Sequence, residues 1–138
     1  MAATVTVMPP DSSTNTTTQK TILCVDDEPN ILSVRGMILK REGYHVLTAS
    51  NGPDALGLFA VMRVDAVVLD YLMPQMDGAA VATQMKQIRN SVPILLLSGC
   101  LDIPKEHLAL FDGFISKGEA PTALLAAIEK LLLASANQ

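Results

Sequence analysis

AVVLDYLMPQMDG, residues 66–78, decides how this chain folds. Its first four residues are an unbroken apolar run with two adjacent valines, and the run lacks the polar alternation of a strand that faces water on one side. A strand of this kind belongs at the centre of a parallel sheet, where both of its faces are covered. It ends on a carboxylate, Asp70. The loop that follows, with Met73, Pro74 and Gly78, breaks the strand and leads into a helix expected over residues 79–88.

Reading outward, the same alternation of short apolar runs and amphipathic segments continues in both directions. Upstream lie a strand over 21–25, a helix that starts near Pro29 and is halted by Gly43, a strand over 44–49 and a helix over 52–62. In the first helix Ile31, Val34 and Ile38 recur at helical spacing, and Pro29 suits its first turn. Downstream lie strands over 94–97 and 113–116 and a last helix over 122–133, with Leu124, Leu125, Ile128, Leu131 and Leu132 on its inward face. The stretch between Ser98 and Lys117 is short and carries Pro104, so the fourth helix is expected to be a stub over 104–110. Strands alternating with helices specify an α/β architecture: a doubly wound, five-stranded parallel sheet with helices on both faces. Residues 1–19 are rich in Ser, Thr and Pro and have no apolar periodicity beyond Val5, Val7 and Met8, which suits a disordered extension ahead of a domain over 20–138.

Composition narrows the function. With 138 residues and 49% hydrophobic content, the chain supports one domain with a substantial core. Ten basic against 14 acidic residues give a net charge of −4, with no Lys or Arg run, so direct nucleic-acid binding is not expected. Apolar stretches fall far short of the ~20 residues that span a bilayer, which excludes a membrane span. The first positive charge is Lys20, so no signal-peptide n-region is present and a cytoplasmic location is expected. Cys24 and Cys100 lack CxxC spacing and read as free thiols, and His45 and His107 read as surface residues.

The informative polar residues all fall at one edge of this sheet. Asp26 and Asp27 follow the first strand, Asp70 the third, Ser98 the fourth and Lys117 the fifth. In the flavodoxin-like strand order 2-1-3-4-5, ligands bind beyond the carboxyl ends of strands one and three, where the winding reverses. That order also places strand three between strands one and four, whose ends are then too far apart for a Cys24–Cys100 disulfide. Asp26, Asp27 and Asp70 meeting in one crevice repel one another, which implies a divalent cation held by the three carboxylates. All-oxygen ligation in a site that must admit water and a phosphoryl oxygen favours Mg2+, with Mn2+ as a substitute. Lys117 and Ser98 stand where charge on a transferring phosphoryl group needs neutralising.

Val25-Asp26-Asp27-Glu28, the stretch 70–78, Ser98-Gly99, Phe114 and Lys117 together resemble the receiver domain of two-component response regulators, over about residues 20–134. The resemblance implies that Asp70 is the phosphoacceptor, that Asp27 binds the metal directly and Asp26 directly or through water, and that the Leu72 carbonyl is the third protein ligand. It implies further that Ser98 and Lys117 hold phosphoryl oxygens and that Phe114 turns inward when Ser98 moves toward them. A receiver takes its phosphoryl group from a sensor histidine kinase or a phosphotransfer protein, acts on a downstream protein, and catalyses only its own phosphorylation and dephosphorylation. With no DNA-binding or catalytic segment after Gln138, output is expected through a partner surface, in a stand-alone switch, shuttle or phosphate sink.

Two departures from the family are visible: the shortened fourth helix, and Gly118 where proline usually follows the lysine. The second leads us to expect a trans Lys117-Gly118 bond, with Gly118 at positive φ. Rival readings fit less well. A dehalogenase-type phosphatase wants a second aspartate two residues after the nucleophile, where Leu72 stands. A flavin-binding module would place a phosphate against Asp26, Asp27 and Glu28, which would repel it. The remaining alternative is a pseudo-receiver that binds a partner without being phosphorylated.

Overall fold

In the computed structural model, residues 19–99 and 102–136 are described. Strand β3 (Ala66–Asp70) is buried along its whole length. It runs between β1 (Thr21–Val25) and β4 (Ile94–Ser98), with β2 (His45–Ala49) and β5 (Gly113–Ser116) at the edges. The order is 2-1-3-4-5 and every pairing is parallel, as expected. Asp70 and Ser98 are the last residues of their strands, paired with Leu97 and Ser116 respectively, rather than the first residues beyond them. Backbone pairing continues past the point where apolarity stops.

Alternate side chains of the sheet feed two cores. Leu23, Val25, Val67, Leu69 and Ile94 pack against α2 (Gly52–Val61) and α3 (Gly78–Ile88), through Phe59, Val81 and Met85 among others. On the other face Ile22, Cys24, Val68, Leu95 and Leu97 meet α1 (Pro29–Arg41) and α5 (Pro121–Ala136). Each fully buried Val, Leu or Ile contributes about 1.5–3 kcal/mol. The five apolar residues expected to face inward from α5 all belong to this second core, Leu124 and Ile128 buried and the other three partly so.

Local chemistry fixes the helix starts. Asn51 and Asp77 cap α2 and α3, accepting from the backbone N–H of Asp54 at 2.8 Å and of Ala80 at 2.9 Å. Gly78 opens α3 hard against the end of β3: a Cβ there would lie 2.7 Å from the Asp70 carbonyl oxygen and 2.9 Å from Tyr71 Cα. Gly43, at φ 95°, closes α1.

Helix α1 buries Leu32, Arg35, Gly36 and Leu39, while of the periodic row Ile31 and Ile38 are half-buried and Val34 is exposed. The apolar row lines a groove of about 350 Å³ with Leu97, Ile115 and Leu124. Helix α4 (Lys105–Leu108) is a stub as expected, but with only four residues. The Lys117-Gly118 bond is trans, yet Gly118 is not at positive φ. A turn closed by Glu119 N–H donating to Ser116 O at 3.1 Å redirects the chain within ordinary backbone angles. Cys24 is a free, buried thiol, and burial pushes its pKa up to about 12. Cys100 lies outside the described residues, as does nearly all of the 1–19 stretch read as a disordered extension. Among the described residues no helix is long and apolar enough to cross a membrane.

Candidate functional site

The carboxyl ends of β1 and β3 bring together Asp26, Asp27 and Asp70, each offering an oxygen within 4.8 Å of the others. Asp26 is wholly buried and Asp70 nearly so, at 3% exposure, while Asp27 faces solvent. Asp26 is fixed by its backbone, whose N–H donates to Ala49 O at 3.2 Å, and by its Oδ1, which accepts the Glu28 N–H at 3.0 Å. Lys117 follows β5, and its backbone N–H donates to Ser98 O at 3.1 Å. That tie aims its ammonium into the crevice, 3.1 Å from Asp26 Oδ2 and 3.3 Å from Asp70 Oδ1.

Burial raises the Asp70 carboxyl above its usual range, and the Asp26 charge raises it further; Lys117 offsets part of the effect. For Lys117 burial acts downward, but the hydrogen bonds and charges of Asp26 and Asp70 outweigh it and hold the ammonium charged above its ordinary range. The carboxylate that ends the central strand thus holds its proton more tightly than an ordinary aspartate does. This suits a nucleophile held beside a cation.

Ser98, at 1% exposure, ends β4 beside the crevice. Leu72 lies in the 70–78 turn with its side chain 61% exposed, and that turn is braced by Gly78 N–H donating to Tyr71 O at 2.7 Å. Phe114 sits on β5 opposite Leu96 and points outward, at 45% exposure. All-oxygen donors, one of them solvent-facing, suit a hard divalent ion that keeps part of its water shell.

Two site features escaped the sequence reading. Arg35, in α1, is buried to 9% and reaches Asp26 Oδ2 at 3.5 Å. It occupies the row 32, 35, 36, 39, and a search for charge inside a sheet-facing helical stripe would have found it. Lys117 and Arg35 thus compensate part of the negative charge of the three carboxylates before any metal binds. His107, read as a surface residue, is half-buried, with its Nδ1 2.6 Å from the Tyr71 hydroxyl. No local signal marks that contact, which depends on where α4 docks.

Residues 22–129 match the family described as response regulator receiver domain. The chain is 34% identical over 116 residues to the alkaline phosphatase synthesis transcriptional regulatory protein PhoP of Bacillus subtilis, covering 82% of this chain and 48% of that one. It is 37% identical over 115 residues to the response regulator MprA of Mycobacterium sp. strain KMS, covering 80% and 50%. The chain spans about half the length of these curated relatives. Among solved structures, a CheY-like receiver domain protein from Methanospirillum hungatei matches with a TM-score of 0.81 at 25% identity, over 87% of this chain and 98% of that one. The response regulator TrrA of Thermotoga maritima, solved in complex with Mg2+-BeF, matches with a TM-score of 0.78 at 33% identity, over 82% and 99%. The expectation of no nucleic-acid contact gains no support from relatives named transcriptional regulators, and rests on the charge of this chain alone. By fold, acidic cluster and the match over residues 22–129, the chain belongs to the response regulator receiver domains of two-component signalling.

Proposed function

We propose that Asp70 accepts a phosphoryl group from the phosphohistidine of a sensor kinase or phosphotransfer protein, and that the modification switches a surface read by a downstream protein. The observation that carries this reading is the buried Asp70 carboxylate, set beside Lys117 with two further carboxylates within 4.8 Å. An Asp70 oxygen attacks phosphorus as the donor's P–N bond breaks, and the imidazole leaves with the bonding electrons. Asp26, Asp27, Asp70 and the Leu72 carbonyl would hold Mg2+, with Mn2+ able to replace it. When bound, the ion neutralises negative charge on the transferring oxygens. The TrrA complex with Mg2+-BeF supports this choice of ion.

Lys117 moves with the charge. It bridges Asp26 and Asp70 in the unmodified site, and once Asp70 is converted to the acyl phosphate its ammonium follows the phosphoryl oxygens. Ser98 supplies a hydroxyl to the same oxygens. Phe114, two residues from Ser98 through its ladder partner Leu96, then turns inward from its exposed position and changes the α4–β5 face. Intact-mass spectrometry after acetyl phosphate treatment tests the reading. One added phosphoryl mass is expected with Mg2+ and none with excess EDTA, whereas no addition in either condition would favour a pseudo-receiver.

A further inference from the structure

Arg35 is the only buried cation among the described residues, and it lies at the candidate metal site. Its guanidinium cannot shed its proton, and Asp26 is the one carboxylate it reaches among the described residues. The Asp26 carboxylate has three partners among the described residues. Oδ1 accepts from Glu28, and Oδ2 is shared by Arg35 at 3.5 Å and Lys117 at 3.1 Å. The two cations differ in freedom. The Lys117 side chain is 29% exposed and ends a flexible stem, so it can swing aside or follow a new anion. The Arg35 side chain is only 10% exposed, on the buried row of α1 between Leu32 and Leu39, and has less room to move than Lys117.

We propose that Arg35 is a fixed internal competitor of the divalent ion: it holds Asp26 and stabilises the three carboxylates in the metal-free state, and thereby lowers the resting affinity of the site for Mg2+. The inference rests on the reading of Asp26 and Asp27 as metal ligands. Its sign is diagnostic. A residue that merely oriented Asp26 for the ion would weaken Mg2+ binding when removed. A competing charge strengthens binding when removed, because the ion no longer faces a positive charge across a shared oxygen.

The test is Mg2+ titration by calorimetry, or by amide NMR shifts, at fixed ionic strength. It compares wild type, Arg35→Gln, Arg35→Met and Arg35→Lys, with Asp27→Ala as the metal-site control. Both neutral variants are expected to bind Mg2+ about three- to tenfold more tightly than wild type, and Arg35→Lys to stay within about twofold. The neutral variants are titrated at a temperature where their far-UV circular dichroism matches that of wild type, so that affinities of folded proteins are compared. Equal or weaker binding in the folded neutral variants overturns it while leaving the metal site intact. Absence of Mg2+ binding from wild type and every variant overturns the metal reading, and this inference with it.

Discussion

The same substitution at two glycines should have opposite effects. At Gly78 an added Cβ meets the Asp70 carbonyl oxygen at 2.7 Å and Tyr71 Cα at 2.9 Å, both backbone atoms that cannot rotate away. The start of α3 must then back off from the end of β3. Overpacking of this kind costs roughly 1–3 kcal/mol. For a domain of this size roughly 3–6 °C of Tm corresponds to each kcal/mol, so Gly78→Ala should lower Tm by roughly 3–18 °C. Gly57, by contrast, is exposed in the interior of α2 and has nothing within 4 Å of its would-be Cβ. There alanine removes backbone entropy from the unfolded chain, and Gly57→Ala should gain about 0.5–1 kcal/mol. Calorimetric melts of the two variants against wild type decide the matter. The turn 70–78 positions both Asp70 and the Leu72 carbonyl, so Gly78→Ala should also slow acetyl phosphate labelling while Gly57→Ala leaves it unchanged. A Gly78→Ala variant that melts with wild type would refute the claim that the β3–α3 junction is closed to a side chain.

Asp70 gives a pH dependence with a definite sign. Burial and Asp26 raise its carboxyl in the folded state, so the folded protein holds that proton more tightly than the unfolded chain. The associated stability is present below the unfolded carboxylate range and is lost as pH rises through the folded value. Without divalent ions, Asp70→Asn should therefore melt above wild type at neutral pH, with the gap closing on acidification; a lower Tm for the variant at neutral pH would contradict this. Tyr71→Phe removes the 2.6 Å hydrogen bond to His107 and should cost about 0.5–1.5 kcal/mol by urea titration, with a clear shift of the His107 ring resonances in NMR. Unmoved resonances would mean that the contact does not form in solution. Cys24, its thiol raised to about 12 by burial, should resist iodoacetamide at pH 8 in the folded protein and react after unfolding, as peptide mapping would show.

Much of the fold was legible because β1, β3 and β4 are covered on both faces, and such strands write themselves as unbroken apolar runs. The acidic cluster was legible for a related reason: Asp26 and Asp70 interrupt those runs at corresponding ends, and a parallel sheet puts corresponding ends together. What failed depended on tertiary context. In α1 the periodicity of Ile31, Val34 and Ile38 marks the helix but not its buried row, which contains Arg35, a charge that meets Asp26 across the fold. Tyr71 and His107 meet across 36 positions through a four-residue helix that has no buried residue of its own. At Gly118 the residue type allowed a positive φ, but a hydrogen-bonded turn from Ser116 to Glu119 made it unnecessary.

We propose that a single carboxylate, the one ending the middle strand of the sheet, carries the phosphoryl group. Borohydride reduction of an acyl phosphate converts the aspartyl residue to homoserine, which marks the acceptor permanently. Wild-type protein treated with acetyl phosphate and Mg2+, then reduced and mapped by tandem mass spectrometry, should show homoserine at position 70, and Asp70→Asn should show none anywhere. Homoserine at position 26 or 27 in the wild type, or labelling of Asp70→Asn equal to wild type, would contradict the assignment.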